Sequence, residues 1–305
     1  MSETPIRRRL VLSRGLSVLW LFDALLKLQP SMFTSQLIVN VIAPSAADNQ
    51  PPWLHHLMIA GARSWYHWLP WSTFGILLVE GFLAWAAWRG PDDRLGRLGL
   101  HVSIIWAIVV WFMAEGLGGL LTSSPSLMTN APGSAPLYAV IAGILLLPPA
   151  IWRSPRFYAK LRRGLSLFFL AAALIQTFPT FWTAPGAGGI FGDITMNGNE
   201  PVAMQQLINA LVLMSMRAPI LLNLIFISIM VYIAFALWQG TLTGPARLVI
   251  VLWLAFIWIA PQAMGGLLTG SGTDPGVEFP LALLLSLIWQ SPTQLTESVK
   301  NAGTS

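Results

Sequence analysis

Residues 111–122 read WFMAEGLGGLLT, and residues 258–269 read WIAPQAMGGLLT. The two stretches align Trp111 with Trp258, Glu115 with Gln262, Gly118 with Gly265 and Thr122 with Thr269. A phrase written twice in one chain points to an internal repeat, which governs the reading of everything around it. Working outward, RGLSVLWLFDALLKLQPSMF from Arg14 overlays RGLSLFFLAAALIQTFPTFW from Arg163 at a constant offset of 149 (163 − 14), so that Pro30 meets Pro179. Trp88-Arg89-Gly90 likewise recurs as Trp238-Gln239-Gly240. The expected organisation is two tandem units, residues 1–153 and 154–305.

Each unit is too apolar to be soluble. Of 305 residues, 55% are hydrophobic and 10% charged, with a mean hydropathy of +0.66, where a soluble domain carries about 25% charge. Several apolar runs approach the ~20 residues that cross a ~30 Å hydrocarbon layer as helix. Barrel strands would instead alternate at period two. The expected fold is an all-α integral membrane protein of eight spans. In the first unit they cover about residues 11–28, 72–88, 98–121 and 137–152, in the last of which the chain returns to an Arg-rich segment. In the second unit they start from Arg163, end the second helix at Trp238, and continue over about 246–268 and 281–289. Four spans per unit make the repeat parallel, about an axis along the membrane normal. The long segment 29–71, dense in Trp and His, is expected to lie at the outer interface as an amphipathic helix, and 183–217 is a second long outer segment.

The formal charge of +5 does not point to nucleic acid, because Lys and Arg gather in the short segments between spans. The predicted outer segments hold only Arg63 and Arg217. This is the positive-inside pattern, which places both termini in the cytoplasm and the chain in the inner membrane, with the lipid bilayer as its first partner. The basic start, Arg7 to Arg9 and Arg14, resembles the n-region of a signal peptide, but Asp23 and Lys27 interrupt the apolar run and no A-x-A site precedes Pro30. It is expected to stay as the first helix. The chain has no cysteine, which excludes thiol catalysis, thiolate metal sites and an intrinsic dithiol couple.

An ionisable side chain inside a membrane helix costs on the order of 2.5–3.5 kcal/mol on insertion scales, so each needs a partner or a water-filled cavity. The first unit has four, Asp23, Lys27, Glu80 and Glu115, and the second has Ala172, Gln176, Met230 and Gln262 at the corresponding positions. Asp23 and Lys27, four apart, share a helix face. A buried polar cluster between the first three helices is expected, centred on Lys27 with Glu115 placed to meet it. It is either a functional site or a structural ion-pair network that fixes helix register. These four are the candidate catalytic residues. Trp111 and Gln262 are the candidate cofactor contacts, Trp111 because it recurs one turn before Glu115, a spacing that serves a pocket wall or core packing alike. His55, His56, Met58 and His67 could suit copper, but adjacent histidines on one helix do not readily face one ion, and no metal site is assigned.

Two segments, RGLSVLWLFDALLKLQP (residues 14–30) and GILLVEGFLAWAAWRG (75–90), resemble the DoxX-like membrane family, which includes DoxD, the membrane subunit associated with thiosulfate:quinone oxidoreductase. Members show an Arg-led first helix ending in Lys-Leu and a second helix with Glu-x-x-x-Gly or a related pattern; Lys27-Leu28 and Glu80-Gly81 are the matching positions. The chain departs in Asp23 and in being doubled. The resemblance implies a quinone-linked oxidoreductase subunit in which Lys27, Glu80 and Glu115 handle protons or bond a quinone carbonyl. Electrons would then come from a periplasmic or membrane protein partner or from a directly bound donor. Two other readings stay open. One is a transporter for a small solute or ion, with Asp23, Lys27 and Glu115 lining an outward cavity. The other is a scaffold or assembly protein whose charges are structural.

Overall fold

Proline, glycine and polar caps punctuate the apolar runs, and the helices begin and end on them. A computed structural model describes residues 4–47, 49–192, 200–240 and 242–289, and these are helical with no strand among them. The polar tail beyond Trp289 lies outside the described residues, as do the first three residues and part of the 183–217 segment. The first half contains α1 (Thr4–Leu26), α2 (Ala43–Ala47), α3 (Pro52–His67), α4 (Trp71–Arg89), α5 (Arg94–Met113) and α6 (Ala135–Leu146). The second contains α7 (Pro155–Ile175), α8 (Ala184–Gly192), α9 (Val202–Arg217), α10 (Pro219–Gln239), α11 (Gly244–Ile259) and α12 (Glu278–Ser286).

Start and stop signals match in the two halves. Pro sits in the first turn of α7, α10 and α11, where its missing N–H leaves no intrahelical bond unmade. Gly90 and Gly240 end α4 and α10 at φ of 85° and 81°, values that a side chain resists. Asp93 accepts the Gly96 amide at 2.9 Å to cap α5, and Thr243 accepts the Ala246 amide at 3.4 Å to cap α11; both are preferred N-cap types.

The helices pack in matching pairs, α1 on α4 and α7 on α10. Across the first pair Ser17 donates to the Ala84 carbonyl at 2.6 Å, and across the second Ser166 donates to the Ala234 carbonyl at 2.6 Å. These small hydroxyl residues let two backbones approach closely while satisfying each other. One continuous apolar core runs through both halves, from Leu12 and Trp20 in α1 through Ile141 and Phe169 to Leu284 in α12. The opposite faces are also apolar yet exposed: Leu78 in α4 is 72% exposed, while Glu80, two residues on, is 3% exposed.

Among the described residues α4, α5 and α10 are long and apolar enough to cross a membrane. The pair formed by α11 and the turn Ala263–Thr269, bent by 41°, makes a fourth. Helices α1 and α7, with 23 and 21 residues, would reach roughly 30–35 Å at 1.5 Å per residue, but each is heavily basic in its first half. Helices α6 and α12 have 12 and 9 residues and reach only roughly 18 and 14 Å. The chain ahead of each is buried, at Ser126 to Met128, where a single 3-10 turn begins, and at Pro275 to Val277.

The third helix of each half is shorter than its apolar sequence suggests. Helix α5 stops at Met113 instead of running on to residue 121, and Glu115 lies in the break, not inside a helix. Residues 116–119 then take positive φ in succession, Leu117 among them, and Met264, Gly265 and Gly266 do so after α11. Four left-handed residues cannot continue a right-handed helix, so the Gly pair works as a tight turn.

Candidate functional site

A cavity of about 250 Å³ opens among α1, α3, α4, α5 and α6. Asp23 and Lys27 reach it from α1, Glu80 from α4, Glu115 from the break after α5, and Tyr138 from α6. Trp20, Trp65 and Trp106 form part of its apolar wall. The four charged residues singled out in the sequence therefore share one site.

Their pairing differs from expectation. Lys27 Nζ lies 3.7 Å from Glu80 Oε2 and donates to the Thr273 carbonyl at 2.7 Å. Glu115 does not bond Lys27; its Oε1 accepts from the Ser134 hydroxyl at 2.9 Å and the Ala135 amide at 3.1 Å. A carboxylate placed on the first amide of α6 satisfies an orphan donor and complements the helix dipole. Asp23 accepts from the Tyr138 hydroxyl at 3.4 Å, and Tyr138 packs edge-on against Trp20 at 4.8 Å between ring centroids. The Trp20 indole is held in turn by Ser103, at 2.9 Å.

Two ionisable residues of the cavity were not assigned to the site from the sequence. Tyr138 is the polar exception on the otherwise apolar α6, and a phenol in such a helix asks for a hydrogen-bond partner. Asp274 comes from the second half and enters beside Thr273; it accepts the Gly276 amide at 2.9 Å and the Thr273 hydroxyl at 3.3 Å. Its position before Pro275-Gly276 reads as a turn signal, which hides its second use.

Two polar atoms at the cavity lack a partner among the described residues. They are Glu115 Oε2 and Trp106 Nε1, both buried, while Glu80 Oε2 has Lys27 at 3.7 Å as its ion-pair partner. A buried polar atom left without a partner costs about 1–3 kcal/mol, and a ligand in the void could supply one. No family model, curated protein or solved structure matches the chain. The chemistry of the site therefore rests on its own geometry.

Trp111 and Gln262 do not line the cavity. Trp111 donates its indole N–H to the Pro132 carbonyl at 2.7 Å, and Trp258 does the same to Pro275 at 2.9 Å. The paired tryptophans tie each third helix to the buried chain ahead of the fourth. Gln262 is buried, donating to Glu278 Oε1 at 2.6 Å and to the Leu127 carbonyl at 3.4 Å. The second half is thus not stripped of carboxylates: its acid stands at the start of α12, where α6 has Ala135. The His55 Nδ1 shares a hydrogen bond with the Ala46 carbonyl at 2.8 Å, and among the described residues no three His, Asp or Glu are grouped to hold a metal ion.

The lid of the cavity comes from the segment between α1 and α4. Leu37, Ile42, Gly61, Ala62 and Trp65 line it from this side. Helix α3 buries one face, Leu54, Met58 and Ala62, and leaves Trp53, Tyr66 and the flanking Trp68 exposed, as an amphipathic helix at an interface does. At Gly61 the chain passes against the end of the Met113 side chain, which would have to turn aside for a methyl group there.

Proposed function

We propose that the chain is an integral membrane protein of two parallel tandem four-helix units, spanning the inner membrane eight times with cytoplasmic termini, and that its first unit binds quinone as the membrane subunit of an oxidoreductase related to the DoxX-like family. The repeat is supported by the shared element order and by the duplicated hydrogen bonds of Ser17 and Ser166 and of Trp111 and Trp258. Membrane embedding is supported by apolar residues exposed on opposite faces of the long helices.

The quinone reading is carried by one observation: Lys27, Asp23, Glu80, Glu115 and Tyr138 converge on a Trp-walled cavity. A quinone head is planar and apolar with two carbonyl acceptors. The Trp106 indole N–H and the Lys27 ammonium are donors for such an acceptor, and the ring has aromatic walls to lie against. At about 250 Å³ the cavity falls just under the usual ~300–1,000 Å³ of small-molecule sites, suiting a single-ring head with its tail left in lipid. Reduction to quinol takes up two protons, and Asp23, Glu80, Glu115 and Tyr138 offer oxygen atoms on which protons can be held next to the ring. The two electrons come from a bound donor or a partner protein, since the chain has no thiols.

The test is binding. A short-chain quinone added to purified protein is expected to quench the emission of Trp20, Trp65 and Trp106, with Lys27→Ala weakening the apparent affinity at least roughly tenfold, the worth of one charge-assisted hydrogen bond. Glu115→Gln, which keeps an acceptor for α6, tests the charge without removing the cap. Equal quenching by quinone in wild-type and Lys27→Ala protein would sink the reading.

A second reading, transport of a small cation, is favoured by the surplus of carboxyl groups: Asp23, Glu80, Glu115 and Asp274 face one Lys27. Uptake of a cationic solute by protein in liposomes, without quinone binding, would select it.

A further inference from the structure

At the opposite end of the helices, where α1 and α7 begin, the repeat separates what is scaffold from what has been added. The Arg14 guanidinium lies 3.6 Å over the Trp88 ring, and that of Arg163 lies 5.6 Å over Trp238. These are corresponding residues, so the stack that ties α1 to the end of α4 and α7 to the end of α10 is common to both halves. Two arginines beside the first stack are not part of that scaffold. Tyr158 stands in the place of Arg9 at the offset of 149, and Gln239 stands in the place of Arg89 before the shared glycine.

Arg9, Arg14, Arg89 and Arg153 line a cavity of about 340 Å³ between the start of α1, the end of α4 and the segment after α6, together with Trp88 and Asp92. Two of the four are neutralised. Arg9 Nη1 lies 2.8 and 3.0 Å from the two Asp92 oxygens, and Arg89 donates to Asp93 at 2.8 and 2.9 Å. Arg14 and Arg153 form no ion pair among the described residues. Stacking on Trp88 occupies one face of the Arg14 guanidinium and leaves its in-plane N–H groups for an acceptor; Nη1 has no hydrogen-bond partner among the described residues. The positive-inside pattern accounts for arginines at this end of the helices, but not for two that line one cavity without a counter-ion. Ile6 and Leu10, both exposed, give the cavity an apolar side.

We propose that this cavity is a phosphate-binding site, in which Arg14 and Arg153 take the oxygens of the phosphate group. Guanidinium groups suit phosphate because their several N–H donors match its several acceptor oxygens. With the chain embedded as proposed above, the site faces the cytoplasmic leaflet, where basic pockets between helices meet anionic headgroups. It rests on the membrane embedding and not on the quinone reading.

Native mass spectrometry of the full chain in detergent, with phosphatidylglycerol, phosphatidylcholine or inorganic phosphate added, tests this. Wild-type protein is expected to retain phosphatidylglycerol over phosphatidylcholine. Arg14→Gln, and Arg153→Gln at an exposed position that the fold does not depend on, are each expected to weaken that binding roughly tenfold or more. Arg163→Gln removes the same stack from the second half and is expected to leave the binding within about twofold, as a surface charge outside the site would. Retention of phosphatidylglycerol against millimolar phosphate assigns the site to a lipid headgroup; displacement with direct phosphate binding assigns it to soluble phosphate. Equal losses in Arg153→Gln and Arg163→Gln protein would reduce the effect to overall charge and overturn the proposal. Wild-type binding in both Arg14→Gln and Arg153→Gln protein would overturn it too, as would no preference between the two lipids together with no phosphate bound.

Discussion

At the end of α1, Lys27 faces a cavity together with three carboxylates of its own half. At the equivalent end of α7, Gln176 is bound on every side: its Nε2 donates to Asn223 Oδ1 at 3.0 Å, its carbonyl accepts from Asn223 Nδ2 at 3.2 Å, and its Oε1 accepts from the Ser126 hydroxyl at 2.6 Å. The two halves share an order of elements, yet Gln176 closes its polar groups on neighbouring side chains while Lys27 stands with carboxylates around a void. A structural network needs only the closed arrangement, which Gln176 and Asn223 achieve with neutral side chains. The open one keeps charged, partly unsatisfied groups at a cost that packing alone does not require.

The two halves also hold each other reciprocally. Lys27 of the first bonds Thr273 of the second, and Gln176 of the second bonds Ser126 of the first. Lys27 therefore has two jobs, bridging the halves and serving the cavity, and substitutions can separate them. Lys27→Ala is expected to have the largest effect on folding, about 3–5 kcal/mol, because it leaves Glu80 and Asp23 buried without their cation. Replacing the pair by the residues of the second half, Lys27→Gln with Glu80→Met, is expected to recover most of that loss in denaturant unfolding while quinone binding stays absent. Should the double variant bind quinone as wild type does, the contrast between the halves would carry no functional meaning.

The converse change addresses the closed half. Gln262→Ala removes the donor that Glu278 Oε1 accepts, leaving a buried carboxylate, and is expected to destabilise by about 1–3 kcal/mol. Quinone affinity should not change, since Gln262 lies outside the cavity lining. A loss of affinity without loss of stability would move the site toward the second half.

Much of this arrangement was visible in the sequence, and what escaped has identifiable causes. Helical character and the grouping of Asp23, Lys27, Glu80 and Glu115 follow from apolar runs and from the cost of stray charges within them. The end of α5 does not, because WFMAEGLGGLLT is apolar enough to read as continuing helix, and only the backbone reveals that Leu117 adopts a left-handed conformation. The Lys27 partner was misjudged for a related reason: once the helix breaks before Glu115, the carboxylate swings to the start of α6 and leaves Lys27 to Glu80. Glu278 was hidden among loop residues, since nothing local distinguishes an exposed turn acid from one covered by another half of the chain. Tyr138 and Asp274 reach the cavity through tertiary packing that periodicity does not encode.

Trp111→Phe and Trp258→Phe form a matched pair of smaller effects. Each removes one indole bond to a part-buried carbonyl, of Pro132 and of Pro275, and each is expected to cost about 1 kcal/mol in equilibrium unfolding. Near-equal losses with quinone affinity intact would identify the tryptophans as duplicated struts. A quinone defect confined to Trp111→Phe would restore it as a cofactor contact.

The smallest expected effect lies at the other end of the helices, where a charged cap faces a neutral one. Asp93 and Thr243 occupy equivalent N-cap positions on α5 and α11. The Arg89 guanidinium, at 2.8 and 2.9 Å, and then the Gly96 amide, at 2.9 Å, hold the Asp93 carboxyl well below the usual carboxylate range. A group depressed in the folded state contributes stability that is present above its unfolded value, about 3.9, and is lost as pH falls from there toward the folded one. Asp93→Thr installs the cap of the second half, which does not titrate. The variant is expected to melt slightly below wild type at pH 6, with the gap narrowing by pH 3 as wild-type Asp93 loses its advantage. Because the Arg89–Asp93 pair is exposed to solvent, the gap should also shrink in high salt. Melting curves that stay parallel across this pH range would mean that the charge on Asp93 adds nothing to a cap that threonine supplies equally well.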